Sequence, residues 1–159
     1  MRADLLAWDP GERGAAVLCR GVLNEFVADA DRRAAFTAFA SWLRPGGVLL
    51  ADVRDWRATA ARYATRRAHD SHVRRAGREV RFSSATRLDH ARHLMCIRER
   101  CAGTIDGVAV DETYEFSMRC WTAEEVTACA AAAGFATVDI GRGADADIAA
   151  DRLLLVARR

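Results

Sequence analysis

The chain has 159 residues, of which 51% are hydrophobic and 29% charged, with two prolines and a formal net charge of +2. A chain of this length buries roughly two thirds of its unfolded surface in one domain, and the composition excludes a disordered chain and a disulfide scaffold. Acidic residues interleave with the arginines, so the field is too weak to argue for a nucleic-acid partner, and no apolar run is long enough to span a bilayer.

In chain order, GAAVLCRG (residues 14 to 21) is a short continuous apolar run, as expected of a strand buried on both faces in a parallel sheet. The segment DADRRAAFTAFASWLRPGG then predicts a helix capped by an early aspartate. Ala35, Phe36, Phe39, Ala40 and Leu43 form its apolar face, and Pro45-Gly46-Gly47 ends it. VLLADV predicts a second buried strand, parallel to the first through a right-handed crossover. A helix is expected over Trp56 to His69. The runs REVRFSSATRL, HLMCIRERC and ETYEFSMRCW then alternate apolar with polar residues, as antiparallel strands with one wet face do, and Asp106-Gly107 signals a hairpin. TAEEV predicts a capping box of Thr122 and Glu125 on a helix that runs to Gly134, and FATVDIG and DRLLLVAR predict two last strands.

All the basic side chains other than histidine are arginine, which fits a GC-rich genome better than a function. Between Arg57 and Arg81 arginine outweighs acid; the run suits a solvated helix face, or an acidic substrate facing it. His69 and His72, and His90 and His93, have a spacing that on a helix puts two imidazoles on one face, but no further ligand stands at matching spacing, and no metal is expected. Arg87, Arg98, Glu115 and Arg119 fall on the wet alternation of the middle strands, as cross-strand ion pairs or as pocket lining. The five cysteines are scattered, with no CxxC pair and no signal peptide before them, which implies reduced thiols and a cytoplasmic location.

Read together, DLLAWDP, AAVLCRGVLNEF, LRPGGVLLADV, the antiparallel middle and WTAEEVTACAAAAGF before a closing strand pair resemble the class I, Rossmann-like S-adenosylmethionine-dependent methyltransferases of the small-molecule type. The resemblance implies an α/β fold: the last strands of the methyltransferase sheet, the final one antiparallel, with an inserted antiparallel sheet over residues 78–120 of a single domain, 1–159. It also implies a carboxyl-terminal part of that domain, because the glycine-rich loop strand and the ribose-binding acid have no counterpart here. Activity of the chain by itself is then in doubt.

By the same resemblance the cofactor is S-adenosylmethionine. Asp4 and Leu5 lie beside its adenine, and Cys19, Arg20 and Gly21 lie where the backbone runs close to the sulfonium. In open α/β sheets ligands bind beyond the carboxyl ends of the strands, which makes Asn24, Arg54, Asp55 and Trp56 candidate contacts for a small-molecule methyl acceptor. Glu25 is the one catalytic candidate, as a counter-charge or proton acceptor, and its plain alternative is an acid at a helix entry. Arg54 and Asp55 have a plain alternative too, as the solvated start of a helix.

The rival from a different class is a non-catalytic interaction module whose open sheet edge pairs with a partner chain. A nucleic-acid methyltransferase is disfavoured, since CRGVLNEF follows the first strand where such enzymes carry an Asn-Pro-Pro-aromatic sequence. In either main reading the first strand lacks a neighbour, which predicts a homodimer through that edge or pairing with a missing amino-terminal segment.

Overall fold

The apolar run Gly14–Arg20 forms strand β1 and is followed by a single 3₁₀ turn, Val22–Asn24. Helix α1 (Asp29–Trp42) leads to strand β2 (Leu43–Arg54), and helix α2 spans Trp56–Thr65. Strands β3 (Ala68–Arg75), β4 (Arg78–Asp89), β5 (Leu94–Ile105) and β6 (Val108–Arg119) come next. Helix α3 (Ala123–Ala132) and strands β7 (Thr137–Arg142) and β8 (Arg152–Arg158) close the chain. This computed structural model describes residues 4–65, 67–75, 78–143 and 149–159; residues 66, 76 and 77 of the arginine-rich run lie outside that set. The chain divides into two compact units, one of Met1–Thr59 with Arg119–Arg159 and one of Ala60–Met118.

In the first unit the sheet order is β1-β2-β8-β7. β1 and β2 are parallel, while β8 runs antiparallel to both β2 and β7. Alternation of side chains gives each strand two faces. One face holds Cys19, Leu49, Ala51, Val53, Leu155 and Ala157, all buried in a cluster with Phe36 and Phe39 of α1 and Val126 and Ala130 of α3. Burying a side chain such as Phe36 stabilises the fold by about 1.5–3 kcal/mol, and this face holds the core together.

The opposite face differs from the expectation of a strand buried on both sides. The register aligns Ala16 with Val48, Leu18 with Leu50, and Leu50 with Val156, so these residues form an apolar stripe. Leu18 is 80% exposed, and Val48, Leu50 and Val156 are only half-buried. Among the described residues β1 is also the sheet's edge, with β2 as its single partner.

Three local expectations are corrected. Helix α1 ends at Trp42, so Leu43 and Pro45-Gly46-Gly47 belong to β2 and do not end the helix. The residue capping α1 is Ala28, which gives no side-chain hydrogen bond; Asp29 and Asp31 sit within the first turn, where negative charge suits the helix dipole. The chain after α2 does not stay helical to His69, because a strand begins at Ala68. On α3 the capping box is complete, with Thr122 Oγ1 accepting from the Glu125 N–H and the Glu125 side chain accepting from the Thr122 N–H.

The second unit carries the sheet β3-β4-β5-β6, whose described pairings, β3 with β4 and β4 with β5, are antiparallel. β5 and β6 are joined by Asp106 and Gly107, both at positive φ. That is the two-residue hairpin an Asp-Gly pair favours. Gly103 of β5 is required by packing, since a Cβ there would stand 2.0 Å from the Glu79 carbonyl oxygen on β4.

Candidate functional site

The carboxyl ends of β1 and β2 come side by side, with Cys19 opposite Ala51 and Arg20 opposite Asp52. β1 ends at Gly21, whose φ of +71° lies in the left-handed region that side chains disfavour. Its N–H donates to Asp52 Oδ1 at 2.9 Å. Asp52 is itself buried, and its other oxygen faces the Arg152 guanidinium at 3.1 Å. One carboxylate therefore ties the turn after β1 to β2 and to β8.

A second set of bonds fixes the next layer. Asn24 is 2% exposed, and its side-chain oxygen accepts the Arg54 N–H at 2.9 Å. The Arg54 guanidinium pairs with Asp151 at 2.5 Å. Trp121 Nε1 donates to the Leu23 carbonyl at 3.3 Å, and Trp121 bridges Asp55 as a short parallel pair. Asp55 caps α2, accepting from the N–H groups of Arg57 and Ala58, while Trp56 is buried and its N–H bonds the Trp121 carbonyl at 2.8 Å.

Asn24, Arg54, Asp55 and Trp56 are thus all engaged in holding the rim. Arg20 and Glu25 are exposed, and among the described residues neither side chain has a polar partner. Asp4 sits in an exposed turn, its Oδ1 accepting the Leu6 N–H at 3.0 Å, and Leu5 packs partly against the core. Cys19 is buried, and burial pushes its thiol up to about 11.

Other candidates resolve without a site. His69 and His72 fall on opposite faces of β3, since an odd spacing on a strand separates them, and His72 pairs with Glu79 at 3.1 Å. Among the described residues no His, Cys, Asp or Glu group is arranged to hold a metal ion. Arg98 pairs with Glu115 at 3.3 Å, and Arg119 is buried against Glu125. No described helix is long and apolar enough to cross a membrane.

Asp151, Arg152 and Trp121 were missing from the sequence-derived site. The available signal was charge at the ends of apolar strands, Asp52 and Arg54 closing VLLADVR and Asp151 and Arg152 opening DRLLLVAR. Only the antiparallel register, which sets Arg54 against Arg152, shows that these groups meet.

No protein-family model and no curated protein matches the chain. Solved structures do. The sugar N-methyltransferase KedS8 from a Streptoalloteichus species is similar with a TM-score of 0.80 at 23% identity, over 99% of this chain and 60% of that one. An S-adenosylmethionine-dependent methyltransferase from Clostridium acetobutylicum gives 0.78 at 12% identity, over 98% and 62%. The fold is that of an S-adenosylmethionine-dependent methyltransferase. A third methyltransferase, the amino pentose enzyme CalS10 from Micromonospora echinaspora in its S-adenosylmethionine-bound form, gives 0.73 at 23% identity, over 99% and 63%. This chain therefore spans about six tenths of the length of the methyltransferases it resembles.

Proposed function

We propose that the chain forms the acceptor-side part of an S-adenosylmethionine-dependent methyltransferase acting on a small molecule. The observation that carries this reading is the sheet β1-β2-β8-β7 with its reversed β8, ending at the Gly21 turn, in a fold shared with methyltransferases over 98–99% of the chain. A left-handed glycine held by Asp52 suits close approach of a ligand to the backbone. The nearest atom to an added Cβ is Arg152 Nη1 at 3.7 Å, so the turn is kept glycine by its φ and not by crowding.

S-adenosylmethionine, when bound, supplies a methyl group on a positively charged sulfur. In this reading Asp4 and Leu5 receive the adenine, Asp4 through the carboxylate oxygen that its turn does not use. Cys19, Arg20 and Gly21 line the approach to the sulfur, and Glu25 balances its charge or takes the acceptor's proton. Asn24, Arg54, Asp55 and Trp56 shape the acceptor's rim, acting as positioning residues through the bonds they make. Transfer of a methyl group needs little more than two partners held in line in a dry pocket. A cytoplasmic location belongs to the same reading and is supported by five unpaired cysteines.

The edge of β1 and its apolar stripe support a further part of the proposal, that this chain works with a segment seated there. That segment is either a second copy or an amino-terminal strand that completes the cofactor crevice. The same edge favours one alternative, a non-catalytic module that binds a partner chain by strand addition. Calorimetric titration of the purified chain with S-adenosylmethionine separates the two. The methyltransferase reading expects weak binding near 1 mM, about 4 kcal/mol, that is lost when Gly21 is replaced by Val. Absence of any heat that depends on Gly21 favours the module.

A further inference from the structure

The sheet of the second unit has one face with an apolar centre. Register and side-chain alternation set Val73, Val80 and Gly103 in a row across β3, β4 and β5. The two-residue turn at Asp106 and Gly107 places Ile105 of β5 against Val108 of β6, which extends that row to Val110. The Arg98–Glu115 pair on the opposite face fits the same register. Toward the hairpin the next row holds Arg75, Arg78, Ile105 and Val108, and on the other side Phe82 and Cys101 lead to Glu112. Val73 is 56% and Val108 66% exposed, while Val80, Phe82, Cys101 and Val110 are half-buried. A contiguous exposed apolar patch with a charged rim marks an interaction surface.

Charge on this face is sorted by strand. Arg75 and Arg78 stand on β3 and β4, and Glu99 and Glu112 stand on β5 and β6. Among the described residues of the face, no acid lies on the first pair of strands and no arginine on the second. A partner of one sign satisfies only half of such a surface. A second copy satisfies both halves when a two-fold axis runs along the strands, because β3 of each copy then crosses β6 of the other and β4 crosses β5. The basic half meets the acidic half twice. The same axis sets Val80 over Gly103 of the second copy, so a branched side chain meets the one position of the row that has none. An axis across the strands instead lays β3 on β3 and β6 on β6, like charge on like.

We propose that this face is the contact of a closed two-fold dimer, with the β3–β4 half of each copy seated on the β5–β6 half of the other. Four strands by three rows measure about 19 by 20 Å, or about 400 Å² of flat contact on each copy. That is small for a specific interface, so the dimer is expected to be weak, with a Kd on the order of 100 μM. The proposal rests on the second unit alone and is independent of the methyltransferase reading and of the β1 edge.

The test is sedimentation equilibrium of the Leu18→Lys chain, which silences the β1 edge, at up to about 500 μM, several times the expected Kd. A reversible equilibrium that stops at two copies is expected, since a two-fold contact closes on itself. Val73→Glu, at an exposed site in the central row, is expected to weaken it at least about tenfold with the melting temperature unchanged. Arg75→Glu and Glu112→Arg are each expected to weaken it about fivefold, and the two together to restore it, because the reversed halves match again. A chain that stays monomeric at about 500 μM overturns the proposal, as does growth beyond two copies. So does a Val73→Glu chain that dimerises like its parent, or a charge-swapped double variant no tighter than the single ones.

Discussion

Asp52 occupies the end of an apolar strand, where it bonds the Gly21 N–H and faces Arg152. Removing one partner from such a pair leaves the other's charge and a backbone donor poorly compensated, which is the costly direction. Asp52→Ala is expected to lower the unfolding free energy by about 3 kcal/mol in urea titration, with Arg152→Ala less costly because that side chain is partly exposed. A change below about 0.5 kcal/mol for Asp52→Ala, the level of an ordinary surface substitution, contradicts the anchoring role. The buried thiols give a second test at this scale. Burial pushes Cys19 and Cys120 from the ordinary 9.0 to about 11. The folded chain keeps these protons at a pH where the unfolded chain loses them. Their contribution to stability is therefore complete below pH 9 and is lost as pH rises toward about 11. Unfolding free energy measured across that window is expected to fall less steeply for Cys120→Ala than for the parent chain; parallel slopes contradict it.

At the scale of elements, the strands and helices of the first unit were legible where one physical signal dominated. The apolar runs of β1 and β2, the i, i+3, i+4 face of α1 and the Thr122–Glu125 box each specify one structure and no other. β3 was not legible. Ala68–Arg75 reads AHDSHVRR, almost wholly polar, so neither period stands out, and only pairing with β4 makes it a strand. The site was half legible for a related reason. Asn24, Arg54 and Asp55 were visible as polar residues at a strand end, but the bonds that engage them come from Asp151, Trp121 and their own backbone neighbours, which sequence distance hides.

For the whole molecule the decisive feature is the uncovered side of the sheet. An apolar stripe on the face away from α1 and α3 meets the edge strand β1, which among the described residues is paired on one side only, and Leu18 lies on both. Such an edge is a template for association. This follows from the residues of β1 and β2 themselves. The most direct measurement is sedimentation equilibrium of the 159-residue chain beside its Leu18→Lys variant, at concentrations up to about 100 μM, where exposed edges associate. The account predicts reversible dimers or larger species for the parent chain and a shift toward monomer for the lysine variant. A parent chain that stays monomeric throughout and melts cooperatively would contradict it, because β1 would then be a finished edge that needs no further partner.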